Sequence, residues 1–323
     1  MALNYEDVIK TKDSISFKNQ AFINGKYVNS LSEKVFEDIS PVDGGLVTSV
    51  AECDVDDIND AVKAARYVFE KGSWSRMAPN KRKKILFKFA DLIKKNILEL
   101  GILETIDMGK PISAATGDIA ACVACLNWYA EAIDKIYDDV APTRDNIIAM
   151  ITKEPLGVVG AVTPWNYPLL MAFWKIAPAL ATGNSFILKP AEQSPLSALR
   201  VSELAMEAGI PEGVFNVVPG FGPTAGKALG MHMDVDKLGF TGSTEVGKLF
   251  LKYSGDSNMK RVSLECGGKS PNIIFADAPD LDVAAKQAAD GMFFNSGQVC
   301  DAPSRLLIER SIKDEFIEKL IEY

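Results

Sequence analysis

Apolar and polar positions follow one pattern in the first half of the chain and another in the second. Up to about residue 156 the pattern predicts mainly helices, after strand-like segments at Ala21–Val28 and Leu46–Ala51. The acidic cluster at residues 54–57 suits a helix N-terminus, and Pro79 opens a longer helix with one apolar face. A third helical segment is predicted over about residues 119–137.

From Gly157 onward, short apolar runs alternate with helical stretches. The runs are GVVGAVTP, SFILKP, VFNVVPG and DKLGFTGS, and each is followed by a predicted helix. Strands that alternate with helices of this length predict βαβ units and a mostly parallel, buried sheet. The runs RVSLE and SPNIIFAD, a helix ending near Phe294, a strand at Arg305–Glu309 and a last helix follow. Because the pattern stops inside a helix at Tyr323, we expect the chain to be truncated.

Composition and charge exclude several classes of protein. The chain has 323 residues, 47% of them hydrophobic, as expected for a folded protein of about two domains. Its net charge of −8, without a long Lys/Arg run, argues against nucleic acid or an anionic membrane as a partner. Neither a secretory signal nor a membrane-spanning helix is predicted. Five cysteines suggest no disulfide framework, so we expect a reducing compartment, the cytoplasm. With His232 as the only histidine, no metal site is predicted.

Several short segments contain residues suited to binding a nucleotide. The stretches from Gly220 to Gly226 and from Gly242 to Gly247 lie where a strand leads into a helix, and free N–H groups there can bind a pyrophosphate. Neither is a strict G-x-G-x-x-G, so plain turn glycines are the alternative. Glu192 follows the SFILK strand and could accept hydrogen bonds from a ribose while repelling a 2′-phosphate. Alternatively, it is a solvated loop charge.

Three residues are candidates for the chemistry itself. Cys300 is a candidate nucleophile, because a thiol is partly ionised near neutral pH; the alternative is a small buried apolar residue. Glu265, at a strand end beside two glycines, is a candidate general base. Asn166 lies in an apolar turn, either as an oxyanion donor or within an Asx turn. The C-x-x-C pair Cys122 and Cys125 is interpreted as core packing.

Taken together and in order, five segments resemble the NAD(P)-dependent aldehyde dehydrogenase superfamily. They are TPWNYP, KPAEQSP, GFTGSTEVG, LECGGKSPN and FFNSGQVC, and the last two match the active-site signatures of that family. The resemblance extends from about Ala21 to the last residue. ETIDMGKP and WYAEAIDKIYDDVAPT look most like members that oxidise γ-glutamyl-γ-aminobutyraldehyde and related aminoaldehydes.

The resemblance implies an α/β fold, a Rossmann-like doubly wound parallel sheet with the beginning of a second α/β catalytic domain. Residues 1–260 would form the NAD-binding domain, interrupted near residues 138–156 by an oligomerisation arm. Residues 261–323 would form the N-terminal part of the catalytic domain, whose remainder, with an E-x-F-G motif that contacts the nicotinamide ribose, is missing. The strand-like segment Asn146–Lys153 resembles the arm, which implies a homo-oligomer for the full-length protein.

The resemblance also assigns roles to residues. Cys300 would attack the aldehyde, Asn166 and the Cys300 N–H would stabilise the oxyanion, hydride would pass to NAD, and Glu265 would activate water to hydrolyse the thioester. NADP is less expected than NAD because of Glu192. The cofactor positions are Trp165, Lys189, Glu192, Gly222, Gly242, Ser243 and Val246, and the substrate positions are Tyr167, Met171, Trp174, Phe294 and Asp301. Two positions depart from the family pattern: Ser296 replaces a common glutamine, and Pro303 a common glycine.

Two other functions compete with an aminoaldehyde dehydrogenase. The early stop favours a non-catalytic protein that binds NAD or a partner on the same scaffold. A semialdehyde dehydrogenase for an anionic substrate would need basic residues in the substrate tunnel. Asp301, beside Cys300, instead suggests that a cationic group is tolerated there.

Overall fold

The computed structural model describes residues 4–323, which divide into two compact units. The larger unit comprises residues 4–241 and 245–264, and the smaller comprises residues 242–244 and 265–323. The helices are α1 (Tyr5–Ser14), α2 (Val55–Lys71), α3 (Pro79–Lys95), α4 (Ile97–Met108), α5 (Ile112–Ala132), α6 (Pro168–Ala181), α7 (Leu196–Ala208), α8 (Lys227–Met231), α9 (Thr244–Gly255), α10 (Leu281–Phe293) and α11 (Lys313–Ile321). The strands are β1 (Ala21–Ile23), β2 (Lys26–Val28), β3 (Val35–Ile39), β4 (Leu46–Ala51), β5 (Asp139–Ala141), β6 (Ala149–Ile151), β7 (Val158–Val162), β8 (Ser185–Lys189), β9 (Phe215–Val217), β10 (Lys237–Gly242), β11 (Arg261–Cys266), β12 (Pro271–Ile274) and β13 (Arg305–Ile308).

The larger unit is built on a seven-stranded sheet in the order β11-β10-β7-β8-β9-β1-β2. β10, β7, β8 and β9 run parallel, and β1 pairs antiparallel with both β9 and β2. All five residues of β7 and all five of β8 are buried, because helices cover both faces of the parallel part of the sheet. The predicted α/β fold with a doubly wound parallel sheet is therefore confirmed.

Two hydrophobic cores pack on the sheet. One includes α3 to α7 and contains large side chains such as Phe89, Phe173 and Leu180. The other joins α2 and α8 to the sheet through Ile58 and Leu229. α2 begins with a capping box: the Asp54 carboxylate accepts a hydrogen bond from a backbone N–H of the first turn, and the Asp57 carboxylate accepts one from the Asp54 N–H. The predicted acidic start of this helix is therefore confirmed.

Three boundaries differ from the sequence-based prediction. The segment 21–28 is a hairpin rather than one strand, because Asn24 and Gly25 both adopt positive φ (51° and 77°), which forms a tight turn. α5 begins at Ile112, just after Pro111, and ends at Ala132 rather than near residue 137. The first seven residues of α5 have no clear apolar period, so the hydrophobic pattern does not mark where this helix begins. The helix predicted after VFNVVPG begins as a π-helical turn, Gly222–Gly226.

The smaller unit has its own fold. β12 and β13 pair in parallel, and α10 packs against α11. Its core consists of Ile274, Ala285, Ala288 and Phe316. Within residues 4–323 as a whole, no helix combines the length and the apolar composition needed to cross a membrane.

Two carboxyl groups are buried against each other in the larger unit. Asp38 on β3 and Asp107 on α4 are each only 2% exposed, and both carboxyl oxygens of Asp38 and Oδ1 of Asp107 are buried without a hydrogen-bond partner. Burial raises the pKa of Asp38 to about 6, and burial followed by the charge of Asp38 raises that of Asp107. Burial without a partner therefore favours the neutral form of these carboxyls relative to an exposed aspartate.

We predict that Asp38 destabilises the protein as the pH rises. The pKa of Asp38 is about 6 in the folded protein, above its ordinary value of 3.8. Its contribution to stability is therefore complete below pH 3.8 and is lost as the pH rises through about 6. Asp38→Asn should keep the size of the side chain and remove this dependence. Between pH 5 and pH 8, the free energy of unfolding measured by urea denaturation should fall by on the order of 1 kcal/mol more in wild type than in Asp38→Asn. Glu37→Gln, an exposed neighbour on β3, is the control and should follow wild type; equal pH profiles for Asp38→Asn and wild type would contradict the prediction.

Candidate active site

The loops after the parallel strands contain most of the predicted cofactor residues of the larger unit. In the order β9-β8-β7-β10, the chain winds outward from β7 to β9 and then returns to the other side of β7. This reversal creates a crevice beyond the carboxyl ends of β7 and β10, the point at which doubly wound folds bind ligands. The arrangement therefore predicts a ligand-binding site in the region where the sequence motifs lie.

The loop after β7 contains Trp165, Asn166 and Tyr167. Pro168 follows as the first residue of α6, where its fixed φ suits a helix start. Trp165 is exposed, Asn166 is half-buried and Tyr167 is buried. Asn166, the predicted oxyanion donor, is thus fixed between the end of a buried strand and the start of a buried helix.

Lys189 and Glu192 form an ion pair at the end of β8. The Lys189 side chain is only 2% exposed, and its Nζ lies 2.9 Å from Oε2 of Glu192, whose side chain is 29% exposed. Burial lowers the pKa of the Lys189 ammonium, and the Glu192 carboxylate opposes that effect. Two residues predicted to contact the adenosine ribose are therefore held together, with Glu192 still reachable from solvent.

The turn after β9 requires a glycine. Gly220 has φ +152°, and a Cβ added there would lie 2.4 Å from the carbonyl oxygen of Cys53, so no larger residue fits without a backbone shift. Gly222, two residues later, begins the π-helical turn, and no atom lies within 4 Å of where its Cβ would be. A ligand can therefore approach the backbone closely at Gly222.

The connection after β10 contains the remaining predicted cofactor residues. Gly242 ends β10, Ser243 links it to α9, and Val246, exposed in part, lies in the first turn of that helix. The predicted strand-to-helix turn at GSTEVG is confirmed as local structure.

The segment that follows Glu265 is hydrogen-bonded to the backbone of Cys300 in the smaller unit. Glu265 is the penultimate residue of β11, and the Gly268 N–H beyond that strand donates a hydrogen bond of 3.1 Å to the carbonyl oxygen of Cys300. Both side chains are exposed, and no atom lies within 4 Å of a Cβ placed on Gly267 or Gly268. The alternative that Cys300 is a small buried residue is therefore wrong.

The segment before Cys300 has an unusual backbone. After α10 ends, Asn295, Ser296 and Gly297 all adopt positive φ, at 48°, 58° and 75°. For the two residues with side chains this conformation costs on the order of 1 kcal/mol each. Ser296, the departure from the family pattern, thus lies at a strained position. Phe294 precedes this turn and Asp301 follows Cys300, both exposed.

Trp174, a predicted substrate residue, lines a cavity of about 400 Å³ in the larger unit. Its other lining residues are Cys125, Trp128 and Tyr129 on α5. The rings of Trp128 and Tyr129 meet edge to face, with centroids 4.8 Å apart. The sequence analysis did not single out Trp128 and Tyr129 as substrate residues, because their spacing on α5 is ordinary for a helix. Cys122 is fully buried, as the core interpretation requires, but Cys125 faces the cavity.

The other predicted substrate residues of the larger unit, Tyr167 and Met171, are buried near the start of α6. Across residues 4–323, no group of three or more His, Cys, Asp or Glu side chains is placed to hold a metal ion.

The sequence profile described as "Aldehyde dehydrogenase family" matches residues 27–323. The chain belongs to the aldehyde dehydrogenase family. The match includes every segment on which the resemblance rests, so that prediction is confirmed.

Individual aldehyde dehydrogenases are similar over nearly the whole chain. The NADP/NAD-dependent aldehyde dehydrogenase PuuC of Escherichia coli K12 is 53% identical over 308 residues, which are 95% of this chain and 62% of that protein. A γ-glutamyl-γ-aminobutyraldehyde dehydrogenase of Burkholderia cenocepacia is 50% identical, with a TM-score of 0.97 over 99% of this chain and 65% of that one. An indole-3-acetaldehyde dehydrogenase of P. syringae, crystallised as a mutant with NAD+ and IAA, is 54% identical, with the same TM-score and coverage.

The chain thus spans less than two thirds of the length of these relatives. Their structures confirm the aldehyde dehydrogenase fold for the residues that they share with this chain.

Proposed function

We propose that this chain forms the nucleotide-binding and nucleophile-bearing part of an NAD-dependent aldehyde dehydrogenase that oxidises an aminoaldehyde to the carboxylic acid. The larger unit would be the NAD-binding domain, and the smaller unit the start of the catalytic domain. The observation that carries the proposal is the hydrogen bond between the backbones of Gly268 and Cys300, which joins the segment after Glu265 to that of Cys300, both of whose side chains are exposed.

The residues present fit NAD. Gly222 leaves open space beside the backbone, and the carboxylate of Glu192, held by buried Lys189, can accept hydrogen bonds from a ribose diol. The residues that would hold the cofactor are Trp165, Lys189, Glu192, Gly222, Gly242, Ser243 and Val246. When bound, NAD supplies the hydride acceptor for the oxidation.

Cys300 would act as the nucleophile. Its thiolate attacks the aldehyde carbon, the carbonyl π electrons move to oxygen, and Asn166 and the Cys300 N–H donate hydrogen bonds to that oxyanion. Loss of hydride from this carbon leaves a thioester on Cys300. Glu265 then removes a proton from water, which attacks the thioester and releases the carboxylic acid and the thiolate.

The aromatic cavity supports an aminoaldehyde as substrate. Trp128, Tyr129 and Trp174 line this cavity, and a cation that contacts the face of an aromatic ring gains about 0.5–2 kcal/mol. The described lining contains no basic side chain for the carboxylate of an anionic semialdehyde. Asp301, proposed near the substrate, also favours a cation. The Burkholderia relative is a γ-glutamyl-γ-aminobutyraldehyde dehydrogenase.

A homo-oligomer would be built on the hairpin β5–β6. This hairpin and the connection between its strands expose apolar side chains: Val140, Ile148, Met150 and Ile151. Exposed apolar residues concentrated on one hairpin are typical of a protein interface. Five free cysteines support a reducing compartment, and we propose the cytoplasm.

The proposed nucleophile is tested by NADH formation with purified chain, NAD and an aminoaldehyde. Cys300→Ala should lower turnover by at least about 10³-fold, because the covalent route is lost, while NAD binding measured by calorimetry is unchanged. Cys266→Ala, which removes another exposed thiol of the same unit, is the control and should retain activity. Turnover by Cys300→Ala would refute the assignment; NAD binding without turnover by wild type would favour the non-catalytic alternative.

The cofactor preference is tested at Glu192. Removing its charge with Glu192→Gln should abolish the repulsion of a 2′-phosphate and raise the ratio of kcat/KM for NADP to that for NAD by roughly 10-fold. Glu207→Gln, an exposed acid on α7, should leave the ratio unchanged. An unchanged ratio in Glu192→Gln, or a wild-type preference for NADP, would contradict the proposed role.

A further inference from the structure

Two buried carboxylates of α4 bind the starts of two other helices. Glu104 and Asp107 are three residues apart, on one face of α4, and are 0% and 2% exposed. Oε1 of Glu104 accepts a hydrogen bond of 2.9 Å from the Leu169 N–H, in the first turn of α6. Oδ2 of Asp107 accepts one of 2.9 Å from the Leu196 N–H, at the first residue of α7.

These contacts act as helix caps supplied from outside each helix. The first four N–H groups of a helix have no partner within it, and Ser, Thr, Asp or Asn usually provides one at the N-cap. The N-cap residues here are Tyr167 for α6 and Pro195 for α7, which are not among those types. A carboxylate at a helix N-terminus also interacts favourably with the helix dipole. Glu104 and Asp107 thus fix where α6 and α7 begin.

Lys110 connects the first of these caps to the loop before α6. Its ammonium is fully buried, 2.5 Å from Oδ2 of Asp118 and 3.7 Å from Oε2 of Glu104. It also lies 4.1 Å above the centroid of the Tyr167 ring, a distance suited to a cation–π contact. Burial raises the pKa of Glu104 to about 7, and the charge of Lys110 and the Leu169 N–H oppose that rise.

Each capped helix start lies next to a different part of the proposed active site. Asn166, the proposed oxyanion donor, is three residues before Leu169, and Glu192, the proposed ribose acceptor, is four residues before Leu196. Because so few residues separate each cap from its loop, a shift of the helix start displaces the loop.

We propose that Glu104 and Asp107 are positioning residues with separate tasks: Glu104 aligns Asn166 for the chemical step, and Asp107 aligns Glu192 for NAD binding. This inference rests on the proposed function for the roles of Asn166 and Glu192, but the caps can be tested independently. If the two carboxylates only stabilise the fold, losing either one impairs both functions alike.

Two variants that remove the acceptor oxygens but keep the side-chain size separate these interpretations. Glu104→Met should lower kcat by roughly 10- to 100-fold, as expected for a small misplacement of a catalytic group, with KM for NAD nearly unchanged. Asp107→Leu should raise KM and Kd for NAD by about 10-fold, with kcat nearly unchanged at saturating NAD. Glu104→Gln and Asp107→Asn keep a side-chain oxygen that can accept from the Leu169 and Leu196 N–H groups, so both variants should behave as wild type.

The matched control is Glu99→Met. Glu99 lies on the same helix and is half-buried, but its carboxylate pairs with Arg200, at 2.7 Å. This variant should change neither kcat nor KM for NAD. If Glu104→Met does not fold, Glu104→Asp replaces it, since the shorter side chain withdraws the oxygen from Leu169.

Hydrogen exchange measures the caps without reference to activity. Amides of residues 169–171 should exchange faster in Glu104→Met only, and those of residues 196–198 in Asp107→Leu only. Unchanged exchange overturns the capping inference, and equal losses of kcat and NAD affinity in both variants overturn the division of tasks. If the two variants show this exchange pattern but the wild-type chain does not oxidise the aldehyde, the proposed function is contradicted and the caps are established.

Discussion

The shared direction of four neighbouring strands is the constraint on which the rest of the structure depends. Because β10, β7, β8 and β9 run parallel, every connection must cross back over the sheet, and every strand ends at the same edge. Loops that are far apart in sequence, such as those at Asn166 and Glu192, are therefore concentrated there. The burial of β7 and β8 on both faces leaves these carboxyl ends as the place where polar chemistry can be exposed.

That edge contains charges that would be costly without partners. Lys189 is almost fully buried and is compensated by Glu192, and Lys110 is fully buried and compensated by Asp118 and Glu104. Buried ion pairs contribute little net stability, but removing one partner is strongly destabilising. Such pairs fix geometry more than they add stability, which is what a binding site requires. The carboxyls of Asp38 and Asp107 are buried without a cation, and burial raises the pKa of both.

Much of this arrangement was predictable from the sequence, and what was not has a physical explanation. The alternation of apolar runs and helices predicted the parallel sheet, and the motifs around Cys300 and Glu265 predicted the family. The hairpin at Asn24-Gly25 was missed because two short strands resemble one longer apolar segment. The aromatic cavity was missed because Trp128 and Tyr129 have an ordinary helical spacing, and only the fold brings Trp174 to them. The caps join Glu104 to Leu169 and Asp107 to Leu196, pairs separated by 65 and 89 residues, and no local pattern reports them.

The central claim is that Cys300 forms a covalent thioester with the substrate. Its most direct test is to mix the protein with NAD and an aminoaldehyde, quench in acid within the first turnover, and map the modified peptide by mass spectrometry. We predict an acyl group, of the mass of the substrate acid less water, on the peptide containing Cys300 and none on that containing Cys266. NADH formation without an adduct on Cys300, or with the acyl group on Cys266, would contradict the account.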